Sequence, residues 1–572
     1  MGRIVGIDLG TTNSLVAVPK GDGVTVILQA SGDRLLPSVV AVDPLQGLIV
    51  GKKAKDGARH RPESTIFSVK RHMGTERKFI LGEQELAPQD ISALILKELR
   101  RAAESHLLAP VDRAVISVPA YFNDPQRRAT REAGEMAGLK VEALVSEPTA
   151  AALAFGLENL ETDDFVLVYD LGGGTFDVTV LEMFEGVFNV RASSGDTRLG
   201  GDDIDARIIE WVLRQADGRF KREDLTPEAF AIIRQNAERA KIELSVKNRI
   251  GFRLKDLELV SGKTVDLEAD LDRGTVEELT QDLLERTGAC VAKALLEAKV
   301  PREKVGEVVL VGGPTKMPVV KRYLSELFGK APRDSVDPME AVAVGAAIRA
   351  RLLESTGKAD EIVLTDVSPF TLGVAVLGEM RGEMRPGVFE PLIMRNSSLP
   401  ATRTKVFHTV RQGQDSVVVE VYQGDDPLVE NNIFLDRYYV SGIPSKSTKP
   451  EPIEIGFRYD TDGILHVNAT VLANGKSAGI RIDPGKMKAV GQGIVASRAK
   501  VDALWRSSEA RRTLEKVIAR VEKSLPSLGT KRKRAEDRLE EARKALEGET
   551  APDELERLAD ELTPFAGTEG AP

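Results

Sequence analysis

A single cysteine, Cys290, in 572 residues excludes an internal disulfide, and its place among Ala289, Val291 and Ala292 on an apolar helical face marks it as buried rather than reactive. Long hydrophobic runs are missing too. No apolar stretch approaches the roughly 20 residues of a membrane-spanning helix, so no membrane partner is expected. Excess positive charge is absent: 79 Lys and Arg stand against 88 Asp and Glu, and the net charge of -9 argues against a general nucleic-acid partner. The chain enters a strand at once, Ile4-Val5-Gly6-Ile7, with no charged and apolar leader before it, so a cytoplasmic setting is expected. What remains is 42% hydrophobic and 29% charged, the balance of a soluble globular protein. The length accommodates three or four domains, each with its own core.

The most informative stretch runs from Asp170 to Asp177. The apolar run Phe165-Val166-Leu167-Val168-Tyr169 precedes it, Val178-Thr179-Val180-Leu181 follows, and the turn between is Gly172-Gly173-Gly174-Thr175. This reads as a β-hairpin whose glycines tolerate positive φ and lack a Cβ, so that backbone N–H groups can approach a phosphate closely. Flanking aspartates suit a hydrated divalent cation, because Mg2+ keeps several waters and takes few carboxylates. An isolated GGGT is more often an ordinary hairpin turn. Here the pattern recurs at the N-terminus, where Asp8-Leu9-Gly10-Thr11-Thr12-Asn13 separates strand Ile4 to Ile7 from strand Ser14 to Val18. Two such hairpins read as two halves of a duplicated domain facing each other across a nucleotide. A third glycine turn, Gly312-Gly313-Pro314-Thr315-Lys316, lies between a strand and a helix, where an anion or a flat ring can be received.

With IDLGTTNS, VPAYFND, SEPTAAALAFG, YDLGGGTFDVTV, GDTRLGGDDID, ERAKIELS, VLVGGPTKMP and EAVAVGAAI in that order, the chain resembles the seventy-kilodalton heat-shock chaperone family of the bacterial DnaK type. The likeness weakens after about residue 485. It implies an α/β actin-like two-lobed ATPase domain over 1–358, an interdomain linker over 359–367, an antiparallel β-sandwich peptide-binding domain over 368–484, a reduced α-helical lid over 485–566 and a disordered tail over 567–572. It also implies slow hydrolysis of ATP to ADP, with Mg2+, and K+ as a candidate second ion. The implied partners are extended or unfolded polypeptides, a J-domain co-chaperone and a nucleotide exchange factor, around a monomer.

The resemblance assigns roles residue by residue. Lys70 would reach the γ-phosphate and position the attacking water with Thr175 and Thr197, while Glu147, Asp170 and Asp177 complete the catalytic set. Asp8 and Asp170 would hold the metal through water. The nucleotide would be bound by Gly10, Thr11, Thr12, Asn13, Gly172, Gly173, Gly174, Gly200 and Gly201, with Glu238 and Lys241 toward the ribose and Ser245, Gly312, Gly313 and Lys316 at the base. Read locally, Lys70 is a solvated lysine, Glu147 a helix N-terminal carboxylate, and Glu238, Lys241 and Ser245 a wet helix face. Three positions depart from the family: Pro314 replaces a small polar residue, Lys316 an arginine and Met339 an aspartate. A lysine lacks the planar guanidinium that stacks on a ring, so looser binding at the base is expected. Pro119 and Arg127 would belong to the relay to the peptide domain, and Ala143 and Ser146 replace an arginine and an asparagine of the J-domain contact, so that partner is expected to act weakly. Between Gly74 and Ala93 the chain is shorter than the family pattern.

From 368 onward the composition turns to short β-rich runs: Phe370 to Gly378, Thr404 to Val410, Ser416 to Tyr422, Ile453 to Tyr459, Ile464 to Val471 and Ala478 to Ile482. Val417, Val419 and Val421 share one strand face, ordinarily sandwich core. The resemblance makes Val417 the floor of an aliphatic pocket lined by Val374, Val419 and Phe407, with Leu377 and Val410 arching over it. Thr365 interrupts the leucine run expected of the linker. Past Pro484, helices are expected over Val495 to Leu525, Thr530 to Leu546 and Pro552 to Leu562, with Ala535, Leu539, Ala542 and Leu546 as one apolar stripe. The basic run 531–534 reads as a solvated helix start. Two other readings stay open: a nucleotide-gated scaffold of the actin-like superfamily with little turnover, and a sugar kinase, for which the long β-plus-helix C-terminus has no place.

Overall fold

The computed structural model describes residues 3–21, 23–43, 46–156, 164–184, 187–333, 336–354, 363–444, 449–460, 463–482, 491–548 and 550–566. The proposed tail over 567–572, the linker's first four residues and the end of the sandwich segment lie outside the described residues.

Two mixed sheets carry the two lobes, and each is built on one of the two glycine hairpins. In the first, Arg3–Asp8 pairs antiparallel with Asn13–Lys20 and parallel with Val111–Val118, which pairs in turn with Lys140–Ser146. In the second, Asp164–Leu171 pairs antiparallel with Phe176–Phe184 and parallel with Val305–Val311. The repeated arrangement, a tight hairpin beside a parallel crossover strand, is the duplicated two-lobed actin-like fold that the paired motifs implied. The parallel strands are apolar almost throughout, as strands covered on both faces must be. Helices Glu147–Gly156 and Ala341–Glu354 join the lobes beneath the cleft. They pack closely because Gly345 lies against Ala150, where a Cβ would come within 1.7 Å of the Ala150 carbonyl oxygen.

The next region is a β-sandwich of two antiparallel four-stranded sheets. Their orders are Glu383–Ile393, Leu372–Met380, Ser416–Gln423, Ile433–Ser441 and Ala401–His408, Pro452–Tyr459, Leu465–Val471, Ser477–Ile482. Two of these strands escaped the pattern reading. Glu383–Ile393 contains Pro386, Gly387 and Pro391, which argue against a strand and are tolerated here at a sheet edge. In Ile433–Ser441, Asp436 and Arg437 interrupt the alternation, again at an edge.

The C-terminal helices are Gly491–Ser524, Arg532–Leu546 and Pro552–Leu562. Leu514, Val521, Leu539, Leu555 and Leu562 form their shared core. The long helix continues onto the first lobe: Val501 and Trp505 join that lobe's core, Asp502 pairs with Lys97 at 2.8 Å, Arg512 with Glu98 at 2.9 Å, and the Ser508 hydroxyl donates to the Leu48 carbonyl at 2.8 Å. The long helix thus rests on the first lobe. The residues 363–365 add as a parallel edge strand to Val187–Asp196, despite Thr365. The Thr365 hydroxyl donates to Asn189 Oδ1 at 2.8 Å, so the polar interruption of the leucine run is satisfied within the docked arrangement. Among the described residues no helix is long and apolar enough to cross a membrane.

Candidate functional site

The two hairpin turns and the loop before helix Gly201–Arg214 meet at one point between the lobes, beside a cavity of about 590 Å3. Close approach, not torsional freedom, is what demands glycine here. None of Gly10, Gly172, Gly173 or Gly174 has a positive φ, contrary to the local expectation for such a turn. A Cβ on Gly173 would instead fall 1.8 Å from Thr12 Oγ1, and one on Gly200 2.6 Å from the Gly173 backbone. Gly312 is the exception, with φ +86° and the Leu171 carbonyl oxygen 2.1 Å from where its Cβ would be. The Gly201 and Asp202 amides donate to the Gly172 and Gly173 carbonyls at 2.9 and 2.8 Å, which ties the third loop to the phosphate turn.

At the inner end of the cavity, Lys70 and Glu147 form a buried ion pair, Lys70 from the short helical turn Val69–His72 and Glu147 from the first residue of its helix. Asp8, Asp170 and Asp177 stand around it. The Ser117 hydroxyl donates to Asp8 at 2.8 Å, and the Tyr121 backbone N–H donates to Asp177 at 3.2 Å. Burial, with Glu147 beside it, pushes Asp8 up to about 6, while Lys70 and Ser117 oppose the shift. Asp177 is pushed up to about 7 by burial and by Glu147. Asp170 is raised well above the usual carboxylate range by burial and by Glu147, Asp177 and Asp8 together. One ammonium among four clustered carboxylates leaves an excess of negative charge that a divalent cation would relieve.

The donor set fits Mg2+, a hard cation that takes oxygen ligands. Among the described residues no three acidic, His or Cys side chains come close enough to share an ion directly.

At the base end the cavity is lined by Ser245, Ile242, Val246, Pro338, Met339 and Lys316. Lys316 is drawn to Asp337 at 2.9 Å, and Met339 lies against Gly313. Glu238 and Lys241 line the cavity as expected, but both are engaged: Glu238 accepts from Lys55 at 2.7 Å across the lobes, and Lys241 donates to Asp205 at 2.8 Å and to the Gly201 carbonyl at 3.0 Å. Asn13, Gly10, Thr11, Thr12, Thr175 and Gly313 also line it. Thr197 does not. It is exposed in the turn after its strand and, like Gly174, Gly200 and Asp177, is not part of the cavity wall.

Sequence reasoning missed a set of cross-lobe contacts: Ser68 to Asp202 at 2.7 Å, Arg71 to Asp203 at 2.7 Å and Lys55 to Glu238. The partners are 132 to 183 residues apart in each case, so no local pattern could reveal them.

The site also touches the sandwich. The ring of Tyr121, whose N–H holds Asp177, packs edge-on against Phe370 with centroids 5.1 Å apart and lies 5.7 Å from the Arg395 guanidinium. Arg395 and Asn396 both donate to Glu297 of the second lobe, at 2.9 and 2.7 Å. Arg127 donates to the Phe122 carbonyl at 3.2 Å. In the sandwich itself, Val374 and Val419 are buried in the core, Phe407 and Val417 pack half-buried against it, and Leu377 and Val410 are exposed.

Glycine turns from two equivalent hairpins, a lysine and clustered carboxylates in an interlobe cleft define a nucleotide-hydrolysing protein of the actin-like class. A family model described as "Hsp70 protein" matches residues 4–566. The chain is 42% identical over 577 residues to the chaperone protein DnaK of Thermotoga petrophila, covering 98% of this chain and 95% of that one. It is 47% identical over 480 residues to the DnaK of Thermotoga neapolitana, covering 83% and 79%, and 47% identical over 479 residues to that of Thermosipho africanus, covering 83% and 78%. The chain belongs to the Hsp70 family.

Proposed function

We propose that the protein is an ATP-dependent molecular chaperone that binds extended apolar segments of unfolded polypeptides and sets their affinity by ATP binding and hydrolysis. The observation that carries this reading is the direct contact between the two working parts: Tyr121 touches the cleft carboxylate Asp177 with its backbone and the sandwich residue Phe370 with its ring. A nucleotide-driven change at Asp177 therefore has a short mechanical path to the peptide domain.

Hydrolysis needs little covalent help from the protein, because the transferring phosphoryl passes through a loose transition state and catalysis is mostly positioning and charge stabilisation. The turns at Gly10 to Asn13 and Gly172 to Thr175 cradle the phosphates, Lys70 meets the charge that grows on the γ-phosphoryl oxygens, and Thr175 orients the attacking water. Glu147 holds Lys70 in place. Mg2+, when bound, neutralises phosphate charge beside Asp8 and Asp170, and K+ is a candidate second ion. The base end, with Lys316 turned to Asp337, grips the adenine less firmly than the phosphates are gripped.

The division into an ATPase over 1–358, a linker over 359–367, a peptide-binding sandwich over 368–484 and a short lid over 485–566 accompanies this reading. Val417 and Phe407 form the floor of the peptide pocket, and Leu377 and Val410, exposed at its rim, close over the bound backbone. A J-domain protein and an exchange factor are the expected co-chaperones of a monomer working in the cytoplasm. Ala143, buried on an edge strand, presents no charge to an acidic J-domain motif. Single-turnover ATPase with and without an extended Leu-rich peptide tests the whole. Acceleration by peptide is expected, and a slow rate indifferent to peptide would favour the scaffold reading.

A further inference from the structure

A second cavity, of about 360 Å3, adjoins the nucleotide cleft at Thr11, Thr12, Lys55 and Glu238. Both lobes line it. Val39, Ala58 and Phe67 come from the first, and Ile209, Leu213 and Phe230 from the second, so its walls are mainly apolar.

Its charges are unequally matched. Each carboxylate in the wall already has a partner: Glu238 has Lys55, Asp205 has Lys241, Asp202 has Ser68 and Arg71, and Glu210 has Arg207 at 4.0 Å. Two guanidinium groups do not. Arg234 lies over the Phe67 ring at 3.9 Å, across the lobe boundary, and Arg222 lies over the Phe230 ring at 4.4 Å. Among the described residues neither side chain has a hydrogen-bond or ion-pair partner; each keeps its fork of N–H donors unused while its flat face rests on an aromatic ring. Burial lowers the pKa of Arg234, and Glu238, Asp202 and Asp205 oppose that shift from a distance. A guanidinium held planar on a ring beside an apolar wall is prepared to take a carboxylate or phosphate in bidentate fashion, with little further loss of freedom.

We infer that this cavity is a binding site for a small amphipathic anion, an aromatic or aliphatic body carrying one phosphate or carboxylate head, whose head is held by Arg234 and Arg222. Because its walls come from both lobes, the bound molecule fastens the cleft and slows the departure of ADP. The cavity adjoins the nucleotide cleft and shares Thr11, Thr12, Lys55 and Glu238 with it, but neither arginine lines the cleft, so arginine-dependent binding of the probe tests this site apart from the ATPase reading on which the effect on ADP release rests.

The probe is 1-naphthyl phosphate, titrated calorimetrically into the full chain saturated with MgADP, with inorganic phosphate and 1-naphthol as the arms that separate head from body. One naphthyl phosphate should bind per chain with submillimolar affinity, and each fragment at least about tenfold more weakly. Arg234→Met and the exposed Arg222→Met should each weaken binding about tenfold or more, while Arg234→Lys, which retains charge but not the fork, should recover only part of it. Thermal unfolding of each variant separates loss of binding from loss of fold, and Arg222, at the surface, supplies the variant least able to disturb the core. Saturating probe should slow release of a fluorescent ADP analogue severalfold in the parent and not in the variants. Absence of binding in the presence of ADP, binding indifferent to both arginines in folded variants, or release unchanged by saturating probe would overturn the inference.

Discussion

Lys70 and Glu147, 77 residues apart, meet as a buried ion pair at the inner end of the nucleotide cleft. Neither charge is comfortable there alone, since removing one partner of a buried pair strands the other in a poorly solvated place. Lys70→Ala should reduce single-turnover hydrolysis by at least about 100-fold while MgATP still binds, because the lost charge acts on the transferring phosphoryl and not on the base. Filter binding beside a quenched-turnover assay reads both. Hydrolysis at the parent rate would remove Lys70 from the mechanism.

Trp505 anchors the long C-terminal helix to the first lobe, with Lys97 at 5.9 Å and Arg512 at 5.4 Å from its ring. Trp505→Ala should cost about 3 kcal/mol of docking and release the helical segment, which small-angle scattering would register as a larger radius of gyration. An unchanged scattering profile would mean that the ion pairs at Lys97 and Glu98 suffice.

Val417, half-buried on the strand Ser416–Gln423, is the proposed floor of the peptide pocket. Val417→Phe fills that space and should weaken an extended Leu-containing peptide about tenfold or more, measured by fluorescence anisotropy. Since the helical segment rests on the ATPase, ending the chain near residue 484 should change peptide release only slightly. A large acceleration would show the helices to be an effective latch over the pocket.

Glu132, buried in the helix Asp124–Met136, is pushed up to about 7 by burial and by Glu135 and Asp90, with Arg128 opposing. Its folded pKa lies above the unfolded one, so the folded state holds the proton more tightly. The stabilisation is complete below about pH 4.5 and is lost as pH rises through about 7. Glu132→Gln should therefore be more stable than the parent at pH 8, by about 2 kcal/mol after allowance for partial solvent screening, and the advantage should shrink as pH falls through about 7 and vanish below about pH 4.5. Subtracting parent from variant in parallel urea melts cancels the cleft carboxylates, which titrate over the same range. A stability difference independent of pH would refute the assignment.

The local patterns determined much by themselves. Apolar runs on either side of Asp8–Asn13 and Asp170–Thr175 dictate hairpins, because glycine-rich turns between β-formers permit little else, and their repetition dictates two lobes. The alternation in Ser416–Gln423 and the spacing of Ala535, Leu539 and Ala542 likewise specify which side chains are buried. Edge strands with prolines, such as Glu383–Ile393, were not legible, since their pairing comes from a neighbour and not from their own residues. Tertiary structure alone decided the rest. It showed that the phosphate-turn glycines are required by close packing against Thr12 and Gly200 and not by positive φ, that Thr197 is exposed in its turn, and that Thr365 finds Asn189. It also placed Lys70 on Glu147, Lys55 on Glu238 and Arg234 on Phe67. The reason is physical: a hairpin is stabilised by its own neighbours in the chain, whereas a charge or a ring finds its partner only after distant segments have been brought together, and nothing in the residues beside it records which partner that will be.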